Sequence, residues 1–284
     1  MVPCRTGKRY ATLPAVPLPD ASTTAAIPWP TDLDPRTLCL TVDVEWAAPA
    51  VLDDLRALFD QHGVSATFFV THAGVEVPGH ERGLHPNFRQ NGDTYRALLQ
   101  RQTPGTAPSE SELYEHVVRT TKAFAPEARG VRSHSLFYDS ALMPVYLANG
   151  IEYECSYLMP LVPDLRPFAK EYGLLGIPTY YADHFDIMNG VSGFDLARLQ
   201  LDRPGLKVID LHPNIVFTNA RDNDEFMSTK PFYHDEQRLL AARYGGRGIR
   251  TLLLDLLNNI VRQRRPTTTL GEVAGAWRRI APWS

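Results

Sequence analysis

The chain has 284 residues, of which 44% are hydrophobic and 21% charged, a composition typical of a soluble globular protein with enough chain for a large core. Its formal net charge is −3 and its lysines and arginines are scattered, apart from one short arginine cluster near residue 264, so no basic stripe indicates binding to nucleic acid. No apolar run is long enough to span a bilayer.

The amino-terminal part differs in composition from the rest. Residues 11–30 are rich in proline, alanine, serine and threonine, so residues 1–36 are predicted to be an extension and residues 37–284 a single domain. The extension has no apolar run typical of a secretion signal. The three cysteines are far apart and form neither a CxxC pair nor a disulfide framework. These features favour the cytoplasm.

The predicted domain opens with a strand, a helix and a strand. TLCLTVDVEW (37–46) is rich in β-branched and apolar residues, which indicates a buried strand, and a helical spacing follows over residues 49–63. SATFFVTH (65–72) is predicted to be a second buried strand. This order with short joints is typical of a parallel sheet.

Glycine, proline, histidine and asparagine then interrupt every periodic pattern over residues 73–106. A loop of that length in a compact domain is usually functional. The next helix is predicted over residues 109–124, where Ser109 and Glu112 have the spacing of a capping box.

The remainder of the chain continues to alternate between strands and helices. Further strands are predicted over residues 130–137, 151–158, 174–181 and 206–217. Helices are predicted over residues 140–150 and 248–263, and a short strand followed by a helix over residues 267–277. Six or seven strands without a glycine-rich dinucleotide turn favour a barrel of parallel strands over an open sheet.

Two carboxylates lie near the end of the first predicted strand. Asp43 and Glu45 are two residues apart, so their side chains are predicted to share a face. Asp43 lies within an apolar run, where an unpaired carboxylate is costly, and this favours a functional role. Glu45 has the alternative of simple exposure at the strand end.

Arg132 and His134 have the same two-residue spacing in a later strand. Because the carboxyl ends of barrel strands converge on one site, these side chains are predicted to meet Asp43 and Glu45. An arginine there would keep a carboxylate ionised and oriented. A surface ion pair for Arg132 and a structural hydrogen bond for His134 are the alternatives.

His212 and Asp183 follow two other predicted strands. A histidine with a carboxylate partner is the usual arrangement for a general acid or base, although each could also be a lone loop residue. His72 ends the second strand on the same rim, with no role assigned to it. The other histidines on helices or in polar loops are predicted to be surface residues: His62, His116, His184 and His234.

At this point the sequence resembles the polysaccharide deacetylase (NodB-homology) superfamily of metal-dependent N-deacetylases. The matching segments, in order, are TVDVE (41–45), ATFFV (66–70), GHERGLH (79–85), GVRSHS (130–135) and DLHP (210–213). GHERGLHPNF, VRSHSL and HPNIVFTN resemble most the WbmS-like branch, which is associated with sugar modification in surface-polysaccharide loci. The resemblance implies an α/β fold, a distorted (β/α) barrel of seven strands.

The chain departs from the superfamily's pattern in its first motif. The usual motif has adjacent aspartates, whereas Val44 separates Asp43 from Glu45 here. The resemblance implies that one of the two carboxylates binds a metal and the other acts as the base. We assign Glu45 to the metal and Asp43 to the base, and the two roles could be exchanged.

A second departure concerns the histidine motif. The superfamily places a second metal ligand four residues after the first, and from His85 that position is Arg89, which has no free lone pair. His134 is the best replacement, because the arginine motif here carries a histidine that the common motif lacks. His80 is the rival, although the resemblance implies that it lies outside the metal shell. Glu45, His85 and His134 are therefore predicted to hold Zn²⁺ or another divalent metal.

The resemblance implies a zinc-dependent N-deacetylase, a hydrolase of non-peptide C–N bonds. Asp43, oriented by Arg132, would take a proton from the attacking water, and His212, oriented by Asp183, would protonate the leaving amine. The expected substrate is an N-acetylated sugar, a sugar precursor or a glycosylated small molecule. An O-acetyl esterase or non-sugar amidohydrolase is the alternative enzyme. A metal-free carbohydrate-binding or scaffold protein is the alternative of a different class.

Overall fold

The computed structural model describes residues 28–90, 92–101 and 107–280, and in that part of the chain nine strands form one sheet in the order β6-β7-β5-β4-β3-β2-β1-β9-β8. The strands are β1 (Leu38–Asp43), β2 (Ala66–Val70), β3 (Glu81–Leu84), β4 (Gly130–Val131), β5 (Tyr153–Glu154), β6 (Phe168–Ala169), β7 (Leu175–Gly176), β8 (Tyr181–Ala182) and β9 (Lys207–Leu211). Every neighbouring pair is parallel except β6 with β7.

The sheet closes through one continuous segment. β7 pairs with β5 and β8 pairs with β9, and the bridge between Leu158 and Thr179 lies between these two pairings. The segment 175–182 therefore joins the two ends of the sheet. Taken as one interrupted strand, it gives seven parallel strands around a distorted barrel, so the predicted fold is confirmed although the sheet has nine separate strand segments.

Ten helices surround these strands in the described residues. They are α1 (Pro49–Gln61), α2 (Asp93–Gln100), α3 (Glu110–Phe124), α4 (Leu142–Ala148), α5 (Asp183–Met188), α6 (Pro213–Thr218), α7 (Asn223–Thr229), α8 (Glu236–Ala241), α9 (Ile249–Gln263) and α10 (Leu270–Ile280). The predicted capping box at the start of α3 is confirmed, since the side chains of Ser109 and Glu112 each bond the other's backbone N–H.

The side chains of β1 point alternately into two apolar regions. Leu40 and Val42 pack against the surrounding helices, whereas Cys39 packs within the barrel. Thr41 and Asp43 continue on the side of Cys39 and are buried, so this strand presents polar groups inside the barrel toward its carboxyl end.

The amino end of the barrel is filled by the last helix. Leu270, Val273 and Trp277 of α10 join the interior cluster that contains Cys39 and Val208. The bridge between residues 38 and 267 places the start of α10 beside the start of β1. The polar side chains inside the barrel thus lie toward its carboxyl end.

Several predicted elements differ in the structure. The predicted strand over residues 151–158 is only β5, and the short strand predicted at the start of residues 267–277 is a single bridge between Thr267 and Leu38. The predicted loop over residues 73–106 contains β3 and α2, and its residues 91 and 102–106 lie outside the described residues. The predicted strand over residues 206–217 ends with β9, because Pro213 occupies the first turn of α6, where its missing N–H costs nothing. The predicted strand over residues 130–137 is only β4, and a 3₁₀ turn, His134–Leu136, follows it.

Most of the predicted extension, residues 1–27, lies outside the described residues. Trp29 packs edge-on against Trp277, with 5.4 Å between ring centroids, so the described end of the extension lies on the barrel's amino end. No described helix has the length and hydropathy required to cross a membrane.

Candidate metal centre and active site

Three predicted metal ligands meet at the carboxyl end of the barrel. Glu45 Oε1 lies 3.0 Å from His85 Nε2 and 2.7 Å from His134 Nδ1. The two imidazole rings lie 5.4 Å apart at nearly a right angle. One oxygen and two ring nitrogens therefore surround one point in space.

The local backbone explains why these side chains converge. Glu45 and Trp46 both have left-handed φ angles, 50° and 55°, so the chain turns sharply just after β1. His85 follows β3 directly, and its backbone N–H donates to Val70 of β2. The backbone N–H of His134 donates to the carbonyl of Pro86, which holds the turn after β4 beside the His85 segment.

The donor set fits a divalent metal. Glu45 and two histidines supply three protein ligands, the number typical of a catalytic zinc site with one open position. Burial opposes ionisation of Glu45, but hydrogen bonds from His134 and His85 hold its pKa well below the ordinary value, so the carboxylate is anionic as ligation requires.

His85 also has a carboxylate behind it. Its Nδ1 is buried, has no hydrogen-bond partner among the residues that the structure describes, and lies 3.7 Å from Asp43 Oδ1. A metal-ligating histidine usually donates its second ring N–H to a carboxylate, which fixes the tautomer. A small closure of this gap would give His85 that partner and leave Nε2 free to bind a metal.

The two rival positions lie elsewhere. His80 Nδ1 accepts from the Ala66 backbone N–H, and its Nε2 lies 3.2 Å from Asp60, so it joins β2 to α1. Arg89 donates from Nη2 to Ser135 Oγ at 2.7 Å. Neither side chain belongs to the ligand group of Glu45, His85 and His134.

Arg132 is the centre of a buried network. Its Nη1 lies 2.9 Å from Asp43 Oδ1, 2.6 Å from Asp210 Oδ1 and 2.9 Å from Thr41 Oγ1. Its Nε donates to the Cys155 carbonyl at 3.1 Å. Burial raises the pKa of Asp43, but His85 and Arg132 more than offset this, so the pKa lies below its ordinary value and Asp43 is ionised.

Asp210 is a site residue that the sequence reasoning missed. It is 1% exposed, and its Oδ2 is buried without a hydrogen-bond partner among the described residues. Burial raises its pKa to about 7, against the opposing effect of Arg132. The signal was present in the sequence, because Asp210 lies two residues before His212 and so shares its face of the strand.

His212 and Asp183 form the predicted pair. His212 follows β9, Asp183 follows β8, and His212 Nδ1 lies 2.6 Å from Asp183 Oδ1. The His212 backbone N–H donates to Asp183 Oδ2 at 2.7 Å. Burial lowers the pKa of His212, but the Asp183 charge and hydrogen bond raise it to about 10. His212 is therefore an imidazolium at neutral pH.

The prediction that His184 is a surface residue is wrong. Its ring lies 4.6 Å from that of His212, and its Nδ1 is buried without a partner in the described part of the chain. Burial and the nearby His212 lower its pKa to about 4, so His184 is neutral. The turn into α5 brings it to the site, and this turn has no signal in the sequence pattern.

The chain is similar to proteins of one known family. The profile of the WbmS-like polysaccharide deacetylase family matches residues 40–230. A crystal structure from Bordetella bronchiseptica, described as a polysaccharide deacetylase involved in O-antigen biosynthesis, is similar at 26% identity and a TM-score of 0.65, covering 78% of this chain and 90% of that one. A protein from Mycobacterium smegmatis described as a polysaccharide deacetylase has 15% identity and a TM-score of 0.48, covering 91% and 97%. No curated protein matches the chain.

Proposed function

Because the chain belongs to the WbmS-like polysaccharide deacetylase family, we propose that it is a metal-dependent hydrolase that removes an N-acetyl group from a sugar or sugar-like substrate. The observation that carries this proposal is the placement of Glu45, His85 and His134 around one point, with Asp43 beside them. His212 lies close to Asp43 and Asp210, with ligand atoms of the three side chains within 4.8 Å of one another.

Glu45, His85 and His134 would hold the metal, zinc in our proposal. A divalent ion there would lower the pKa of a bound water and polarise the acetyl carbonyl. Glu45 is the better ligand of the two carboxylates, because it contacts both imidazoles, whereas Asp43 lies 3.7 Å behind one of them. This supports the original assignment of the two roles.

Asp43 would act as the base. Arg132 holds its Oδ1 at 2.9 Å, which fixes the carboxylate in its ionised form and leaves Oδ2 to take a proton from the attacking water. The water oxygen forms a bond to the acetyl carbon as that proton leaves it. Arg132 is itself only a positioning residue, since the surrounding acceptors bury it completely.

His212 would act as the acid. Asp183 holds its Nδ1, so Nε2 is the atom that can deliver a proton to the substrate. As the C–N bond breaks, the amine nitrogen takes this proton, acetate leaves, and His212 becomes neutral. The raised pKa means that the proton is present before the reaction begins.

We further propose that the reaction takes place in the cytoplasm. Cys39 and Cys155 are both buried as free thiols within the barrel, which is typical of proteins from reducing compartments. Cys4 lies outside the described residues.

The test is acetate release by the purified protein from a panel of N-acetylated and O-acetylated sugars. We expect activity on the N-acetylated members, loss of activity on treatment with a chelator, and recovery when zinc or cobalt is added. Activity that persists in a metal-free preparation, or release from O-acetyl esters alone, contradicts the proposal.

A further inference from the structure

A cleft of about 1050 Å³ opens beside the candidate metal centre. Its lining includes His85, Trp46, His72 on the loop after β2, and the first turn of α2. Its volume is at the upper end of small-molecule sites and is larger than an acetamido group requires. The cleft can therefore hold a part of the substrate that lies beyond the reacting group.

A chain of hydrogen bonds fixes the orientation of His72. The Trp46 backbone N–H donates to Thr71 Oγ1 at 3.1 Å, and Thr71 Oγ1 lies 2.9 Å from His72 Nδ1. Since Thr71 Oγ1 already accepts from the Trp46 N–H, donation of its own hydrogen to His72 Nδ1 satisfies the hydroxyl fully and favours the tautomer with the hydrogen on Nε2. His72 thus has an N–H donor whose partner must come from elsewhere.

The charges of the cleft favour a neutral partner. Asp93 and Arg96, which both line it, pair with each other. Burial and the nearby His234 lower the pKa of His72, so the imidazole is neutral at physiological pH. Among the described lining residues Arg96 is the one lysine or arginine, so away from the candidate metal centre a phosphate or carboxylate would meet no unpaired lysine or arginine, whereas a hydroxyl or carbonyl oxygen matches a neutral N–H donor.

From these contacts we infer that the cleft is a second substrate subsite, in which His72 donates a hydrogen bond from Nε2 to a neutral oxygen of the group attached to the acetylated sugar. The inference rests on the proposed function and narrows its substrate: an uncharged glycan neighbour fits, and a nucleoside diphosphate does not. His72 is a binding residue at this subsite and takes no part in proton transfer.

The test uses two probes that share one acetylated sugar, the β-1,4 disaccharide of N-acetylglucosamine and UDP-N-acetylglucosamine. Acetate release and calorimetric Kd are measured for the zinc-loaded wild type, His72→Ala, His72→Gln and a control, His62→Ala. His62 lies at the end of α1, at the opposite end of the barrel from the cleft. The glutamine variant keeps an N–H donor at this position, and the alanine variant does not.

We expect His72→Ala to raise KM and Kd for the disaccharide about three- to tenfold, the effect of one lost hydrogen bond, with little change in kcat. His72→Gln should recover part of this loss, and His62→Ala should match the wild type. Three results would overturn the inference. They are an unchanged Kd in His72→Ala, an equal loss of disaccharide affinity in both His72 variants, and tighter binding of the UDP-linked probe than of the disaccharide.

The two proposals fail in different ways. If the wild type releases acetate from neither probe, the proposed deacetylation of these sugars is wrong, and Kd alone decides the subsite. Disaccharide binding that is too weak to detect then overturns the subsite as well. If acetate is released but the His72 variants behave like the wild type, only the subsite is wrong.

Discussion

His212 and Asp183 are joined twice, once through the imidazole Nδ1 at 2.6 Å and once through the His212 backbone N–H at 2.7 Å. Both carboxylate oxygens thus accept from His212, and Oδ1 also accepts from the His184 backbone N–H at 2.6 Å. The first bond keeps the proton on Nδ1, and the second fixes the position of the ring's own backbone. Together they aim Nε2 while the Asp183 charge stabilises the imidazolium.

The first prediction concerns the pH dependence of activity. Asp183→Asn should move the alkaline limb of kcat/KM down by about one pH unit or more, because burial then lowers the pKa of His212 without the largest of the opposing charges. The wild-type limb should lie at or below about pH 10, since a divalent cation nearby favours the neutral ring. Asp186→Asn is the matched control, because Asp186 pairs with Arg198. A limb that is unchanged in Asp183→Asn contradicts the assignment of His212 as the acid.

The same pair makes the free energy of unfolding depend on pH. The folded pKa of His212, about 10, lies above its ordinary value of 6.5, so the stabilisation is fully present below pH 6.5 and is lost as the pH rises toward 10. Urea unfolding at about pH 6 and about pH 9.5 should therefore show that the free energy of unfolding falls more between these pH values in the wild type than in Asp183→Asn. An equal fall in the two proteins would mean that Asp183 does not raise the pKa of His212.

The third prediction separates the metal ligands from their neighbours. His85→Ala and His134→Ala should each abolish stoichiometric zinc, measured by elemental analysis after dialysis, because each removes one of three protein ligands. His80→Ala is the control, and it should keep zinc while losing the bond to the Ala66 N–H and some stability. Zinc retained in His134→Ala, or lost in a folded His80→Ala, reverses the assignment.

The fourth prediction separates chemistry from metal binding. Asp43→Asn should lower kcat on the order of 10²-fold or more, as removal of a general base does, and should keep its zinc. His212→Ala should behave similarly, whereas Glu45→Gln should lose the metal. If Asp43→Asn loses zinc and Glu45→Gln keeps it, the two carboxylates have exchanged roles.

The last prediction concerns the buried arginine. Arg132→Met should reduce the free energy of unfolding by about 3–5 kcal/mol, because Asp43 and Asp210 are then left close together without the guanidinium that bonds both. Adding Asp210→Asn should restore part of the loss, because it removes one of the two carboxylates. Urea titration of the single and double variants measures the coupling energy between Arg132 and Asp210. Strictly additive changes in the free energy of unfolding would show that the two residues do not interact.

Much of the fold could be predicted because the central strands are long and apolar. β1, α1 and β2 have clear periodicity, and the predicted parallel order is that of the barrel. β3 could not be predicted, because ERGL has two charged residues and no alternation. Its strand conformation depends on hydrogen bonds to β2, which the local sequence does not encode.

The candidate site was predictable where strand spacing or family motifs carried it, and the family match over residues 40–230 confirms the resemblance. Asp43, Arg132 and His134 follow from spacing at strand ends, although His134 lies in a 3₁₀ turn after the strand rather than on it. The sequence places His72 on this rim but gives it no role, whereas the position of His184 depends on the direction of the turn into α5, which a two-residue periodicity cannot supply. Buried single residues in such turns need coordinates to be recognised.

The pairing of β1 with β9 has a consequence for synthesis of the chain. The Thr41 hydroxyl donates to the Ile209 carbonyl across 168 residues of sequence. While the ribosome makes the intervening segment, one edge of β1 therefore has no partner strand. Its apolar face also stays uncovered until helices such as α9 are synthesised. An unpaired apolar edge is a template for wrong association. We expect nascent chains that stop before β9 to aggregate unless a chaperone holds them.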